Sequence, residues 1–183
     1  MAELFNEHEI ILLFREESTK QKAFVKILDF YQKRVYWHVR RILVNHDDAD
    51  DVTQNTFIKV WENLQNFRQD SKLYTWIFRI ATNEALSFLN KKRSSTTSSL
   101  QEYETILNES LIAGSYFDGN AIELKLQQAL LLLPDKQKLV FNMKYYENMK
   151  YEEIEQILGT SVGALKASYH HAVKKIEEYL KCN

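Results

Sequence analysis

The sequence predicts an all-α fold made of two small helical domains that a flexible linker joins. The 183 residues include only four Gly and one Pro, and they show little of the Val/Thr alternation that strands need. Apolar residues recur instead at spacings of three and four, which is typical of helices that bury one face. A Ser/Thr stretch at residues 94–99 interrupts that pattern and separates the two domains.

The composition is that of a folded protein from a reducing compartment. Hydrophobic residues make up 45% of the chain, enough to fill a core. The one cysteine, Cys182, has no partner for an intramolecular disulfide. The first residues carry Glu3, Glu7 and Glu9 rather than a basic segment before an apolar core, and no apolar run approaches ~18 residues. We therefore expect a soluble, cytoplasmic protein.

The first predicted domain, residues 1–93, contains three helices. Ser18 and Thr19 predict the start of the first helix. An aspartate cluster at residues 47–51 predicts the start of the second, because the positive end of a helix dipole favours carboxylates. The third is predicted from Tyr74 to about Lys92. Their inward faces are expected at Phe24, Ile27, Leu28, Tyr31, Val35 and His38, then at Val52, Thr56, Val60 and Leu64, and then at Ile77, Ile80, Ala81 and Leu89.

The linker is predicted at residues 94–120. Residues 94–124 carry five acidic residues and no Lys or Arg, whereas residues 1–93 carry 15 basic and 13 acidic residues and residues 125–183 carry nine and seven. A Ser/Thr-rich start followed by an acidic, weakly periodic segment is not expected to bury enough apolar surface to offset its chain entropy. The formal net charge of −1 also predicts that the chain alone binds DNA weakly.

The second predicted domain, residues 121–183, ends in a helix-turn-helix pattern. Pro134 stops a first helix, and Asp135 is expected to cap the next. Helices are then predicted at Tyr151–Leu158 and Val162–Tyr179, with Gly159 closing one and Ser161 capping the other. The inward residues of the first two helices are expected to be Ile122, Leu126, Ala129, Leu130 and Leu133, and then Leu139, Val140, Met143 and Tyr146.

The last helix is a candidate recognition helix. No acidic residue occurs between Glu155 and Glu177, so the helix could approach phosphates without repulsion. In the major groove it would read base edges with Lys166, Ser168, Tyr169 and His170 and contact phosphates with Lys174 and Lys175. The same pattern also fits an ordinary helical hairpin with a solvated lysine face.

An aromatic stretch in the first domain is interleaved with cations. Phe67, Tyr74, Trp76 and Phe78 alternate with Arg68, Lys72 and Arg79, a composition suited to stacking unpaired bases. Aromatics at helical spacing are more often core residues, and that alternative stays open for Trp76 and Phe78.

Metal, cofactor and catalytic sites are not indicated. The aspartates at 47–51 have no further ligand at metal-binding spacing, and a helix start accounts for them. His8, His38, His46, His170 and His171 form no zinc pattern and are expected on the surface or facing DNA. No nucleophile elbow, phosphate loop or paired-carboxylate site is present in the sequence, so we expect neither a cofactor nor a small-molecule substrate.

Several of these segments together resemble one protein family. The runs are residues 50–61 (DDVTQNTFIKVW), residues 67–83 with YTWIFRIATN at their end, Leu133-Pro134, residues 151–154 (YEEI) and residues 161–163 (SVG). In this order and separation they resemble the extracytoplasmic-function sigma factors, the small two-domain branch of the bacterial sigma-70 family. The resemblance covers about residues 20 to 180.

The resemblance implies roles for residues that the chemistry alone left open. Asp51, Gln54 and Asn55 would bind the clamp of core RNA polymerase. The first domain, which resembles sigma region 2, would open the −10 promoter element with Phe67, Arg68, Ser71, Lys72, Tyr74, Trp76 and Asn83. The second, which resembles region 4, would read the −35 element, with Lys166, Tyr169, His170 and His171 nearest the DNA. An anti-sigma factor is a further expected partner.

Two departures from the family pattern bear on the second domain. The family often has a small Ala at the place of Glu155, and its recognition helix commonly carries arginines where this chain has Lys166, Ser168 and His171. Lysine lacks the bidentate fork of arginine, so −35 binding is expected to be weaker or to read another sequence.

Three alternatives to the sigma-factor interpretation differ in what they predict. A conventional helix-turn-helix regulator would form a dimer and bind an operator tightly without polymerase. A purely protein-binding helical protein would tolerate neutralisation of Lys166, Lys174 and Lys175. An enzyme is the weakest alternative, because no catalytic site is evident.

Overall fold

The computed structural model describes residues 6–95 and 121–182. Across those two ranges every regular element is helical and none is a strand, so the predicted all-α class is confirmed. The chain divides into two compact units, Met1–Asn90 and Lys91–Asn183. Residues 96–120 of the predicted linker lie outside the described residues, so the linker and the predicted domain bounds stay predictions.

Within the first described range, residues 6–95, there are four α-helices. They are α1 (Glu7–Arg15), α2 (Lys20–Leu43), α3 (His46–Asn63), which a 3-10 turn at Leu64–Asn66 follows, and α4 (Leu73–Ser95). The second part contains α5 (Ala121–Leu131), α6 (Asp135–Tyr145), α7 (Tyr151–Leu158) and α8 (Val162–Cys182).

Helix α1 was not predicted from the sequence. Asn6 caps it by accepting a hydrogen bond from the backbone N–H of Glu9 at 3.4 Å, and Ile10, Ile11 and Phe14 are buried on its inner face. A cap residue before a short amphipathic run was the signal that could have revealed it.

The starts of α2, α3 and α6 show how each of these helices is capped. Thr19 precedes α2 as predicted, but its hydroxyl donates to the Leu13 carbonyl at 2.6 Å instead of accepting from the new helix. Asn45 caps α3 by accepting from the N–H of Asp48 at 2.9 Å. The prediction that Asp135 caps α6 was wrong: Pro134 occupies the cap position, and Asp135 is the first helical residue.

The core of the first unit follows the predicted inward faces. All four inward residues of α3 and its 3-10 turn are less than 3% exposed, and so are Ile27, Tyr31, Val35, Ile77 and Ala81. An aromatic cluster joins three elements, because the Trp61 ring lies 5.3 Å from Phe14 and 5.0 Å from Phe24. His38 is fully buried, which agrees with its place on the predicted inward face of α2 and overturns the separate expectation of a surface or DNA-facing histidine.

The core of the second unit forms where α5, α6 and α8 meet. Its buried residues include Leu130, Leu133, Phe141, Ala172 and Ile176. The predicted helix Tyr151–Leu158 is confirmed, and Gly159 ends it in the left-handed conformation with φ 62°. Helix α8 begins at Val162 as predicted but continues past Tyr179 to Cys182.

Candidate nucleic-acid and protein interfaces

A pocket of about 280 Å³ lies where the loop before α4 meets the start of that helix. Four of the predicted −10 residues, Phe67, Arg68, Ser71 and Trp76, line it together. Its remaining lining residues, which the sequence analysis did not assign to the site, are Asn63, Asn66, Asp70 and Arg79. The structure therefore brings two aromatic rings, two guanidinium groups and several hydrogen-bonding side chains around one cavity.

The aromatic wall of the pocket is built from two rings. The Phe67 and Trp76 ring centroids are 5.0 Å apart and the ring planes are tilted by 39°. Phe67 is only 5% exposed, whereas Trp76 is half-buried. Phe67 thus supports the indole from below, and Trp76 is the ring that a ligand could reach.

A polar face of α4 continues away from the pocket. Lys72 precedes the helix, and Trp76, Arg79 and Asn83 follow it at intervals of four, three and four residues, which places all four on one helical side. Lys72, Arg79 and Asn83 are exposed. Arg79 was noted in the sequence as a cation but not assigned to the site, although its spacing from Trp76 was the available signal.

Phe78 belongs to the interior, Tyr74 is half-buried against it, and neither lines the pocket. The Tyr74 ring is 4.3 Å from Phe78 and stacks on Tyr31 at 6.3 Å, and the guanidinium of Arg34 lies 4.6 Å from its centroid. Phe78 is fully buried. The core alternative is therefore correct for Phe78, and it does not describe Trp76, which is half-buried at the pocket.

The predicted polymerase-binding residues share one exposed face of α3. Asp51, Gln54 and Asn55 are all exposed, and Ile58, one turn further, is 55% exposed. Gln54 also lines a groove of about 370 Å³ between α2 and α3, together with Tyr36, Asp50 and other polar residues of both helices.

The aspartates at the start of α3 take part in local contacts. Asp50 lies 3.6 Å from His46 Nε2, and the Nδ1 atom of that histidine is 2.8 Å from the Tyr36 hydroxyl. Within residues 6–95 and 121–182, no group of three or more His, Cys, Asp or Glu side chains could hold a metal ion.

The outer face of α8 carries the predicted cations. Lys166, His170, His171, Lys174 and Lys175 are all exposed, while Ser168 is half-buried. Tyr169 was predicted to reach base edges, but its ring stacks on Phe141 with centroids 5.8 Å apart and an interplanar angle of 15°. Tyr169 is thus packed against the core cluster, and the charged and imidazole side chains form the accessible surface.

Helix α7 contributes a tyrosine ring that lies next to two lysines near that surface. The Tyr151 ring has the ammonium of Lys144 at 5.0 Å and that of Lys166 at 5.8 Å from its centroid. Burial raises the pKa of the Tyr151 hydroxyl, and the nearby Tyr169 raises it further. The phenol therefore stays neutral near pH 7 and can hold two cations by cation–π attraction.

Glu155 and Ser161 fix the beginning of α8. A carboxylate oxygen of Glu155 accepts a hydrogen bond from the N–H of Val162 at 3.2 Å, and the Ser161 hydroxyl accepts from Ala164 at 3.5 Å. The Ser161 cap was predicted. The Glu155 contact explains why this chain has a long acidic side chain where the resembling family often has Ala, since the carboxylate satisfies an otherwise unpaired helix donor.

Comparison with known proteins identifies the family of this chain. The family model described as "Sigma-70 region 2" matches residues 27–95 of this chain. The family model described as "Sigma-70, region 4" matches residues 123–176. The chain is 30% identical over 169 residues to the ECF RNA polymerase sigma factor SigW of Bacillus subtilis, which covers 88% of this chain and 90% of that protein. This chain belongs to the sigma-70 family. It is an RNA polymerase sigma factor of the extracytoplasmic-function branch, and it directs promoter-specific transcription initiation.

Further relatives agree with this placement. The ECF RNA polymerase sigma-E factor of Escherichia coli is 30% identical over 177 residues, with 91% of each chain covered. In fold, the chain is similar to the sigma factor RpoE of Bartonella quintana, which was solved in complex with the anti-sigma factor NepR. The TM-score is 0.69, the identity is 21%, and 87% of this chain and 98% of that chain are covered.

The family assignment places each candidate interface in one of the two sigma-70 regions. The pocket, the polar face of α4 and the exposed face of α3 all lie in sigma-70 region 2, and the helix-turn-helix formed by α7 and α8 lies in region 4. Among the residues that the structure describes, no helix is both long and apolar enough to cross a bilayer.

Proposed function

We propose that region 2 of this sigma factor opens the −10 promoter element and captures an unpaired base in the pocket between Arg68 and Trp76. The main support for this proposal is that four of the predicted −10 residues line one cavity: Phe67, Arg68, Ser71 and Trp76. Turning a base out of the duplex costs a few kcal/mol, which stacking on an exposed ring and hydrogen bonds to the base edge can offset.

The cations of the same region would hold the separated strand. Arg68 and Arg79 are exposed and line the pocket. Lys72 is exposed next to Ser71 in the chain, and Asn83 extends the polar face along α4. Tyr74 would act indirectly, because its ring packs on Tyr31 and Phe78 beneath that face.

Core RNA polymerase would bind the exposed face of α3. Asp51, Gln54 and Asn55 supply hydrogen-bonding groups, and Ile58 supplies the apolar contact. The net charge of −1 predicts weak DNA binding by the chain alone. It therefore supports a complex in which polymerase provides much of the DNA affinity and the sigma factor adds selectivity.

Region 4 would read the −35 element with α8. Lys166, His170 and His171 lie on its exposed face near the turn, Lys174 and Lys175 follow one turn later toward the phosphates, and Ser168 is half-buried beside them. Tyr169 would support the helix through its stacking on Phe141.

Regulation by an anti-sigma factor is a further part of the proposal. The structurally similar Bartonella quintana sigma factor was solved with such a protein. Both proposed DNA surfaces are exposed in the described residues, so each is available to an inhibitor. We also place the protein in the cytoplasm, without catalytic activity, cofactor or small-molecule substrate. Affinity capture from the native host that recovers core polymerase but no inhibitory protein would contradict this regulation.

Run-off transcription with core polymerase on a promoter library tests the main proposal. Trp76→Ala is expected to abolish most promoter-specific transcripts while core polymerase binding persists. Phe30→Ala is the matched control, because Phe30 is a 47% exposed aromatic of the same region away from the pocket. Equal transcript levels from both variants would refute the assignment of the pocket.

The same assay tests the role of region 4. Lys166→Ala is expected to reduce promoter-specific transcripts, whereas a purely protein-binding second domain would lose nothing on this substitution. Lys181→Ala serves as the control in region 4, since Lys181 is an exposed lysine of the last turn of α8, distant along the helix from Lys166.

A further inference from the structure

Helix α1 holds both ends of the loop that forms the pocket. Arg15 Nη2 donates a hydrogen bond to the carbonyl oxygen of Phe67 at 3.2 Å. At the other end, a carboxylate oxygen of Glu7 accepts from the backbone N–H of Leu73, the first residue of α4, at 3.1 Å. Residues 68–72 therefore run between two anchors that both come from α1.

A third contact reaches the middle of the loop. His8 Nδ1 lies 3.3 Å from the side-chain oxygen of Gln69, whose backbone has φ 61°. A non-glycine residue pays roughly 1–2 kcal/mol for this left-handed conformation, so it persists only when surrounding contacts hold it. The hydrogen bonds that His8, Arg15 and Glu7 of α1 make with the loop hold it on both sides of Gln69 and at Gln69 itself.

The anchors themselves are fixed to the core of region 2. The other carboxylate oxygen of Glu7 accepts a hydrogen bond from the Tyr31 hydroxyl at 2.9 Å, and Tyr31 is 1% exposed. Burial, followed by the charge of Glu7, raises the pKa of that phenol, so it stays protonated and remains a donor. Phe14 in turn packs its ring on Phe24 and Trp61.

We propose that α1 is part of the promoter-recognition site, with Glu7 and Arg15 as positioning residues that keep the 67–73 loop in its base-accepting form. The inference rests on the proposed function of the pocket. A loop that is already held open does not lose conformational entropy when DNA binds, so its anchors contribute to affinity and to base discrimination without touching the DNA.

The test uses the complete holoenzyme and a fluorescent promoter fragment selected in the run-off experiment, with the −10 element pre-melted by mismatches. The measured quantity is the ratio of the dissociation constants for a base-substituted and an intact −10 element. We expect Glu7→Ala and Arg15→Ala to weaken binding to the intact element about tenfold and to bring the ratio toward one.

Two variants separate positioning from simple loss of folded protein. Glu9→Ala removes the same charge from an exposed position of the same helix and should match the wild type. Glu7→Gln keeps an oxygen for the Leu73 N–H and should recover most of the ratio. A variant that only reduces the folded fraction lowers the signal for both promoters alike and leaves the ratio unchanged.

The results separate the role of α1 from the assignment of the pocket. Unchanged ratios in both Glu7→Ala and Arg15→Ala, alongside a reduced ratio in Trp76→Ala, would overturn the role of α1 and leave the pocket assignment standing. An unchanged ratio in Trp76→Ala would refute the pocket assignment itself, and the role of α1 with it.

Discussion

His38 donates a hydrogen bond to Thr82 inside region 2, and this pair fixes the protonation state of the histidine. His38 Nε2 lies 2.9 Å from the Thr82 hydroxyl, which donates its one proton to the carbonyl of Phe78 at 2.7 Å. The hydroxyl can therefore only accept from Nε2–H. The Nδ1 atom is buried and has no hydrogen-bond partner in the described part of the chain, so a second proton would have no acceptor.

Acid should destabilise region 2 through His38. Burial, with a smaller contribution from Arg41, lowers the pKa of the imidazole from 6.5 to about 3. Between these values the unfolded chain binds a proton that the folded chain excludes, so stability is lost as the pH falls below 6.5, by up to ~1.4 kcal/mol per pH unit. Urea unfolding of the wild type should lose about 2 kcal/mol more between pH 7 and pH 5 than that of His38→Gln. A wild-type pH dependence in His38→Gln would contradict this role of the buried histidine.

The hydrogen bond between Glu155 and Val162 should stabilise region 4. Glu155→Ala leaves the first N–H of α8 without its side-chain acceptor, and we expect a loss of about 1 kcal/mol in urea unfolding. Glu155→Gln keeps the acceptor and should lose less. Glu152→Ala, at an exposed position of the same helix, is the control, and an equal loss in that variant would contradict the cap.

Lys174 and Lys175 should set the salt dependence of −35 binding. Each phosphate contact that is removed lowers the slope of log K against log salt by about 0.9. The double variant Lys174→Ala/Lys175→Ala in the holoenzyme should therefore reduce the slope by about two, measured by fluorescence anisotropy with a −35 promoter fragment. Lys181→Ala should leave the slope unchanged. A slope that stays constant in the double variant would place the phosphate contacts elsewhere.

Phe78 and Trp76, two residues apart on α4, should separate stability from promoter recognition. Phe78 is fully buried, so Phe78→Ala should cost about 3–5 kcal/mol in urea unfolding. Trp76 is half-buried at the pocket, and Trp76→Ala should cost much less while it removes −10 recognition. Equal destabilisation by both substitutions would show that Trp76 is a core residue.

Local sequence signals predicted the parts of region 4 that depend on one helix or one turn. The bounds of Tyr151–Leu158, the left-handed Gly159 and the Ser161 cap all follow from backbone chirality and hydrogen bonding within a few residues. The cap assigned to Asp135 failed because Pro134 takes the cap position and places the carboxylate inside the helix.

The chemistry of the candidate site was only partly predictable. The mixture of aromatic and cationic residues between Phe67 and Arg79 was visible in the sequence, and four of the seven predicted −10 residues line the pocket. The sequence did not reveal that Asn63 and Asn66 complete the cavity, because they lie at the end of the preceding helix and its 3-10 turn.

By itself the sequence determined the helical class of this protein, its two-region organisation by resemblance, and most of the inward faces of the helices that it predicted in region 2. It could do so because helical periodicity is a property of neighbouring residues. Only the tertiary structure decided that Trp76 opens on the pocket while Phe78 is buried, that Tyr169 stacks on Phe141, and that α1 anchors the 67–73 loop. Periodicity states which side of a helix is apolar, but the exposure of residues at the edge of that side depends on which other helix packs there.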